Sequence, residues 1–356
     1  MYKDFEKRKN EYFIKSGFFN GDKGNGVFKG KKYPYVLENN ENNFYMPIYN
    51  EVIDYFNKFG ITWWGENKSK PSCHTLSSQI SCLNHLFYIR RNRFLCLHVL
   101  NFITNRNFTD VISFENYIND NGYIAFEISN YKEPYVSVNA LFLAKDKENK
   151  KHIIMIEWKY TEDYSDEDFS INKDEKILNE YSYLINNSKQ LKMKYFNYKS
   201  SIYFQGELYK LTRQTLWAEQ MIENKYNEKI EADDFLNIVV IPNKNKSILS
   251  SRYKISNMNL ENTWRNVLND NSKFMIIDNK KIIEALEYII ELIKYGLIDS
   301  NLIVSHKNIN VMSDTNKLSN KKNNSCESHI SSEDIVVSEE DIYDLEDFVK
   351  YLKIRY

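Results

Sequence analysis

Residues 134–162, PYVSVNALFLAKDKENKKHIIMIEWKYTE, constrain the fold more than any other stretch. Two runs, 136–144 and 152–158, are rich in β-branched and large apolar side chains, and KDKENKK between them is polar and flexible. That pattern reads as a β-hairpin. A fold about Glu148 sets Asn139 opposite Glu157, each nine residues from the tip. Side chains alternate along a strand, so Lys159 projects on the same face as Glu157. Cross-strand neighbours have Cβ atoms about 5 Å apart. One face therefore gathers an amide, a carboxylate and an ammonium at the end of two otherwise apolar strands. A hard cation such as Mg²⁺ takes oxygen ligands and keeps several waters. Bound to a carboxylate, it acidifies a water and neutralises charge on a phosphate, and a nearby lysine stabilises that charge further. The alternative for any E-x-K is an ordinary surface ion pair of little worth. Here four apolar residues precede Glu157, so the charges emerge from a buried strand.

The hairpin is accompanied by longer words: GVFKGKKYPYVLE (26–38), SSQISCLNHLF (77–87), SVNALF (137–142), IEWKYTE (156–162) and LTRQTLWAEQM (211–221). In this order, over most of residues 20–300, they resemble the PD-(D/E)XK nuclease superfamily, in its bacterial restriction-endonuclease branch. The resemblance implies a restriction-endonuclease-like α/β sandwich, a central mixed β-sheet flanked by helices. It implies Mg²⁺-dependent hydrolysis of phosphodiester bonds in double-stranded DNA, with Mn²⁺ as a substitute, and a restriction or defence role. Glu157 is then a metal ligand and Lys159 the catalytic lysine. The facing position is Asp in that pattern, whereas this chain has Asn139. An amide oxygen ligates a metal without contributing charge. Three readings stay open: Glu127 supplies the missing carboxylate, the chain is a DNA-binding or interaction module without catalysis, or Asn139 is an inactivating replacement. The metal set is accordingly Glu127, Asn139 and Glu157. Cleavage of both strands favours a two-fold dimer.

Composition adds limits. The net charge is −1, so a DNA channel must come from local clustering rather than a globally basic surface. Four cysteines form no C-x-x-C pair, which argues against a zinc site and for reduced thiols. The charged N-terminus and the lack of a membrane-length apolar run lead us to expect a soluble cytoplasmic protein.

Helical spacing marks 48–59, then His74 to about Thr104 with a break near Asn92, 172–195, 206–226 and 280–296, and a short helix is expected within 107–120. Strands are expected at 122–128, 234–241 and 273–277. Mixed strands and helices with long crossovers indicate an α/β sandwich around one sheet. Glu127 ends the strand ahead of the hairpin and is favoured over Glu115 as second carboxylate. Gln79 and Asn84 are polar residues inside an apolar helix, placed by the resemblance along the cleft. Arg90 and Arg91 form a basic patch suited to phosphate contacts, with a solvated helix end as the alternative. The resemblance directs Arg213 or Gln214 towards the phosphate, with ordinary surface polar residues of a helix as the alternative. Trp63 and Trp64 either stack on a base or pack beneath a loop. Five of ten glycines crowd into 17–30 beside lysines; a surface loop is preferred to a phosphate cradle. Four segments follow: an arm and Gly/Lys-rich loop at 1–40, the nuclease-like domain at 41–304, a polar linker at 305–340, and a C-terminal helix at 341–356.

Overall fold

A computed structural model describes residues 1–130, 136–298 and 339–356. It forms the expected α/β sandwich, with helices packed on both faces of a mixed six-stranded sheet. The helices used below are α1 (Tyr2–Lys15), α2 (Tyr49–Phe59), α3 (Ser78–Leu86), α4 (Arg93–Thr104), α5 (Glu115–Ile118), α6 (Glu175–Asn187), α7 (Gly206–Glu223), α8 (Lys246–Ser250), α9 (Leu260–Val267) and α10 (Lys280–Lys294). A C-terminal helix spans Glu339–Arg355. The strands are β1 (Val27–Phe28), β2 (Lys31–Lys32), β3 (Asp110–Val111), β4 (Ile124–Asn130), β5 (Val136–Lys145), β6 (Lys151–Trp158), β7 (Asp234–Val240) and β8 (Phe274–Ile277).

The sheet runs β3-β5-β6-β7-β8, with β4 also paired to β5. The β5–β6 hairpin has the register read from the sequence: Ala140 faces Ile156 and Lys145 faces Lys151. Beyond it β7 and β8 add in parallel. A parallel neighbour requires a long crossover, which α6 and α7 supply between β6 and β7. Burial on both faces explains why β6 and β7 read as nearly unbroken apolar runs rather than alternating ones. One face packs on α2, α3, α4, α10 and the C-terminal helix. The other packs on α6, α7 and α9.

One irregularity shapes the site. Ile124 and Phe126 of β4, with Ala140, Phe142 and Ala144 of β5, face the α2–α4 side. Farther along, Val136 and Val138 of β5 join the opposite cluster, and Ile128 of β4 packs against it. Both strands thus exchange faces at the facing pair Glu127 and Asn139. Glu127 has φ 51°, a left-handed conformation rare for a residue with a long side chain. The Tyr55 hydroxyl holds the break open: it accepts from the Phe126 N–H at 2.9 Å and donates to the Phe126 carbonyl at 3.4 Å. It thereby replaces a strand neighbour at the sheet edge.

Most expected elements are present, and Asn92 does break the helical region, its side chain capping α4 by accepting from Leu95 N. The short helix expected within 107–120 is Glu115–Ile118, ended by Asn119 at φ 57°, while Asp110 and Val111 ahead of it pair with β5. The 172–195 helix stops at Asn187. The N-terminal segment packs on the hairpin, since Tyr160 donates to the buried Glu6 carboxylate at 2.5 Å. Of the linker expected at 305–340, residues 305–338 lie outside the described residues. The C-terminal helix docks through Leu345, Phe348, Val349 and Leu352, all buried, the four apolar positions its spacing marks. Among the described residues no helix is long and apolar enough to cross a membrane. Phe348→Ala should lower the unfolding free energy by about 3 kcal/mol or more through loss of buried contacts, read by urea denaturation. A change below about 1 kcal/mol would mean that the helix is not docked in solution.

Candidate active site

Glu157 lies at the end of β6, buried at 3% exposure on the face covered by α7. Its carboxylate oxygens are fully engaged. Lys159 approaches Oε1 at 3.0 Å, Lys210 lies 2.8 Å from Oε1 and 2.6 Å from Oε2, and the Gln214 amide donates to Oε2 at 3.2 Å. Burial pushes the Glu157 carboxyl up, but Lys210 and then Lys159 outweigh it and hold the group below the usual range. Lys159 is held from the other side by Glu207 at 2.5 Å. Burial pushes the Lys159 ammonium down, but Glu157 and Glu207 overcome this and raise it well above its ordinary value. Lys159 is therefore a fixed positive charge and donor, unsuited to accept a proton.

Asn139 takes up a different role from a metal ligand. Its Oδ1 accepts from the Trp158 backbone N–H at 2.8 Å, and its Nδ2 donates to Glu127 Oε1 at 3.1 Å. The backbone donor fixes which end of the amide is oxygen. Gln79 also hydrogen-bonds to Glu127, while its Oε1 accepts from the Trp64 backbone N–H at 2.8 Å. Burial raises the Glu127 carboxyl above its ordinary value, an effect that the Asn139 amide and the more distant Lys210 reduce without cancelling. The two carboxylates thus differ sharply: Glu157 is fully compensated by ammonium groups, whereas amides are the close donors to Glu127.

Glu127, Glu157, Lys159, Asn139, Gln79 and Gln214 therefore belong to one connected cluster. The other residues expected here stand elsewhere. Asn84 is fully buried, accepting from Tyr45 N at 3.0 Å and donating to the Asn43 carbonyl at 3.0 Å and to the hydroxyls of Tyr351 and Tyr356 at 3.3 and 2.9 Å. It ties the C-terminal helix to the body, where no phosphate reaches it. Arg90 is likewise a correction. At 2% exposure it pairs with buried Asp120 and lies over the rings of Tyr55 and Phe87. This core ion pair anchors the approach to β4. Arg91 is partly exposed and lies 3.4 Å from Glu51. Arg213 lies 4.3 Å over the Tyr209 ring.

Lys210 and Glu207 escaped the sequence reading. Their signal was present: Glu207, Lys210 and Gln214 fall at i, i+3 and i+7, one face of α7. Gly206 places that face. It has φ 44°, and a Cβ there would meet the Ser165 carbonyl oxygen at 2.1 Å, so the helix start closes tightly on the loop after β6.

The donor set fits a hard divalent cation in kind. Glu127, a half-buried carboxylate whose close donors are amides, is joined through Asn139 to the backbone next to Glu157, and waters complete the shell of such an ion. Among the described residues no group of three or more His, Cys, Asp or Glu converges as a metal site. The fit therefore requires Lys210 to release Glu157, and Lys210 is the more exposed of the two ammonium groups, at 24% against 11% for Lys159.

Residues 4–295 match the model of a family described as restriction endonuclease associating with ARP. The chain belongs to that family. Neither the curated proteins nor the solved structures contain a significant match.

The depressed Glu157 carboxyl stabilises the fold above the unfolded-state value of about 4.3, and that stabilisation is lost as pH falls through the lower folded value. Lys210→Met should therefore cost about 2–3 kcal/mol at pH 7, below the loss for a wholly unpaired buried charge because Lys159 remains. Urea unfolding at pH 7 and pH 3.5 should show the difference shrinking as Glu157 takes a proton. A difference independent of pH would contradict the pairing.

Proposed function

We propose that this restriction-endonuclease family member is a PD-(D/E)XK phosphodiesterase that hydrolyses double-stranded DNA with Mg²⁺ or Mn²⁺, and that Glu127 replaces the carboxylate absent at Asn139. The observation that carries the reading is the strained backbone at Glu127, φ 51°, which turns its carboxylate to the Asn139 amide beside Glu157. Backbone strain of this kind persists only where the surroundings over-determine it, and it concentrates at functional sites. Glu127 and Glu157 would hold the divalent ion, which supplies charge neutralisation at the phosphate and an acidified water. Lys159, kept protonated by Glu157 and Glu207, faces the developing negative charge as a donor. Asn139 holds Glu127 in place and keeps its oxygen on the Trp158 backbone. Gln214, bonded to both Glu157 and the Ser137 carbonyl, fixes the carboxylate against α7.

A second reading has its own support. With both Glu157 oxygens taken by ammonium groups and Gln214, and the Asn139 carbonyl taken by a backbone N–H, the cluster is already neutralised from within. A protein of this fold that binds DNA without cutting it needs no more than that.

Cleavage of supercoiled plasmid with Mg²⁺ or Mn²⁺ separates the two. The nuclease reading expects nicking by the chain as it stands, a loss of about 10²-fold or more with Lys159→Ala, and a comparable loss with Glu127→Ala. Asn139→Asp should retain activity. If neither the native chain nor Asn139→Asp cuts DNA, the binding-only reading replaces it.

A further inference from the structure

The β1–β2 hairpin turns through Lys29 at φ 51° and Gly30 at φ 70°, two left-handed residues of the kind a two-residue hairpin turn requires. Lys29, Lys31 and Lys32 are exposed on it, and Phe28 lies on its inner side. Phe28 stacks on Trp64 at 5.4 Å, and both rings meet His74, at 4.6 and 5.8 Å. Of the adjacent tryptophans, Trp63 is packed against Phe56 at 3.8 Å, whereas Trp64 is 45% exposed. The three rings border a cavity of about 460 Å³ whose rim includes Glu38, Asn39 and Glu41.

The walls are held in advance of any ligand. The Asp22 carboxylate accepts from the backbone N–H groups of Gly24, Glu38 and Asn39 and from the Asn42 amide. The Asn43 amide holds the Ser72 and His74 carbonyls. Burial, with Lys3 and Lys7 nearby, lowers His74 to about 4, so it is a neutral ring at physiological pH. The cavity is also wired to the candidate active site through one side chain. The Trp64 N–H donates to Gln79, and Gln79 donates to Glu127.

We propose that this cavity receives one unstacked base of the DNA substrate, laid against Trp64, while the hairpin lysines hold the flanking phosphates. The proposal rests on the nuclease reading of the neighbouring site. Carboxylates on the rim repel phosphate but accept from exocyclic amines such as cytosine N4, and an asparagine amide matches an adenine edge. An aromatic face serves any base. Lysines outside and acceptors inside sort a nucleotide into its two halves. The link through Gln79 makes a base in the cavity part of the same substrate that meets Glu127.

Binding of fluorescent duplexes in EDTA, where no cleavage intervenes, tests this on the full chain. A duplex with one unpaired base has already met the cost of unstacking. It should bind about tenfold tighter than its fully paired counterpart, within what one base–aromatic stack supplies. Trp64→Ala should abolish that preference and Trp64→Phe, which keeps a ring against Phe28, should keep most of it, each variant retaining a cooperative thermal transition. A preference that survives in Trp64→Ala, or none in the native chain, overturns the base site. Should that occur while plasmid cleavage still depends on Lys159, the nuclease reading stands alone. Binding to neither duplex likewise overturns the base site and leaves the nuclease reading to the plasmid cleavage.

Discussion

An ionised carboxylate cannot leave water at the end of a buried strand unless positive charge or hydrogen-bond donors come with it. Glu157 is in that position, and much of the surrounding structure follows from it. Lys159 is supplied locally by the strand itself, two residues on. The second ammonium has to arrive from elsewhere, and α7 brings Lys210 across the sheet face to within 2.6 Å. For α7 to do so it must begin hard against the loop after β6, where Gly206 tolerates the close carbonyl. Glu207, the next residue, then balances Lys159. Charge compensation at one residue thereby fixes where a whole crossover helix starts.

The facing pair on β4 and β5 obeys the same rule with a different outcome. An Asp at 139 would set a second carboxylate within hydrogen-bond distance of Glu127, and two such groups cannot both ionise without a cation between them. The amide removes that conflict, satisfying one backbone donor and one carboxylate at once. In the nuclease reading proposed above the charge would sit one strand outward, on Glu127, whose left-handed backbone costs about 1–2 kcal/mol. Tyr55 and the Arg90–Asp120 pair, both upstream in the core, stabilise the segment that bears this strain. Arg90 reads as a basic surface patch in sequence, yet its work is to hold β4 from beneath.

What was legible followed from local rules. The hairpin register, the Glu157–Lys159 face and the docked positions of the C-terminal helix all rest on fixed periodicities of two and 3.6. Asn84 was misplaced because polarity within an apolar helix has two meanings, a cleft lining or a satisfied core group, and Arg90 because neighbouring arginines read as a surface patch; only tertiary packing distinguishes these. Lys210 was missed for a related reason. In a chain so rich in lysine, a helix face shared with Gln214 is too weak a signal to single one out until the partner across the sheet is known. The helix within 107–120 is confined to Glu115–Ile118 because an edge of β5 is available to pair Asp110 and Val111, an attraction no local propensity encodes.

The C-terminal helix shows how far apart in sequence the supports of this site lie. The family match ends at residue 295, yet Arg355 is fully buried, donating to Asn43 at 2.7 Å and to the Thr75 carbonyl at 3.2 Å. Asn43 also fixes the carbonyls of Ser72 and His74, so the last turn of the chain and the aromatic cavity share one anchoring side chain. Tyr356 lies 5.4 Å from Tyr160 and 4.5 Å from His85, whose ring is 4.7 Å from Trp158. Trp158 in turn donates from its indole to Ser81 on α3. The strand that presents Glu157 and Lys159 on one face is therefore backed on the other by aromatic packing that reaches the chain terminus. A site whose charges must stay within hydrogen-bond distance while buried needs rigid backing of this kind, since small displacements would leave an ammonium or a carboxylate unpaired.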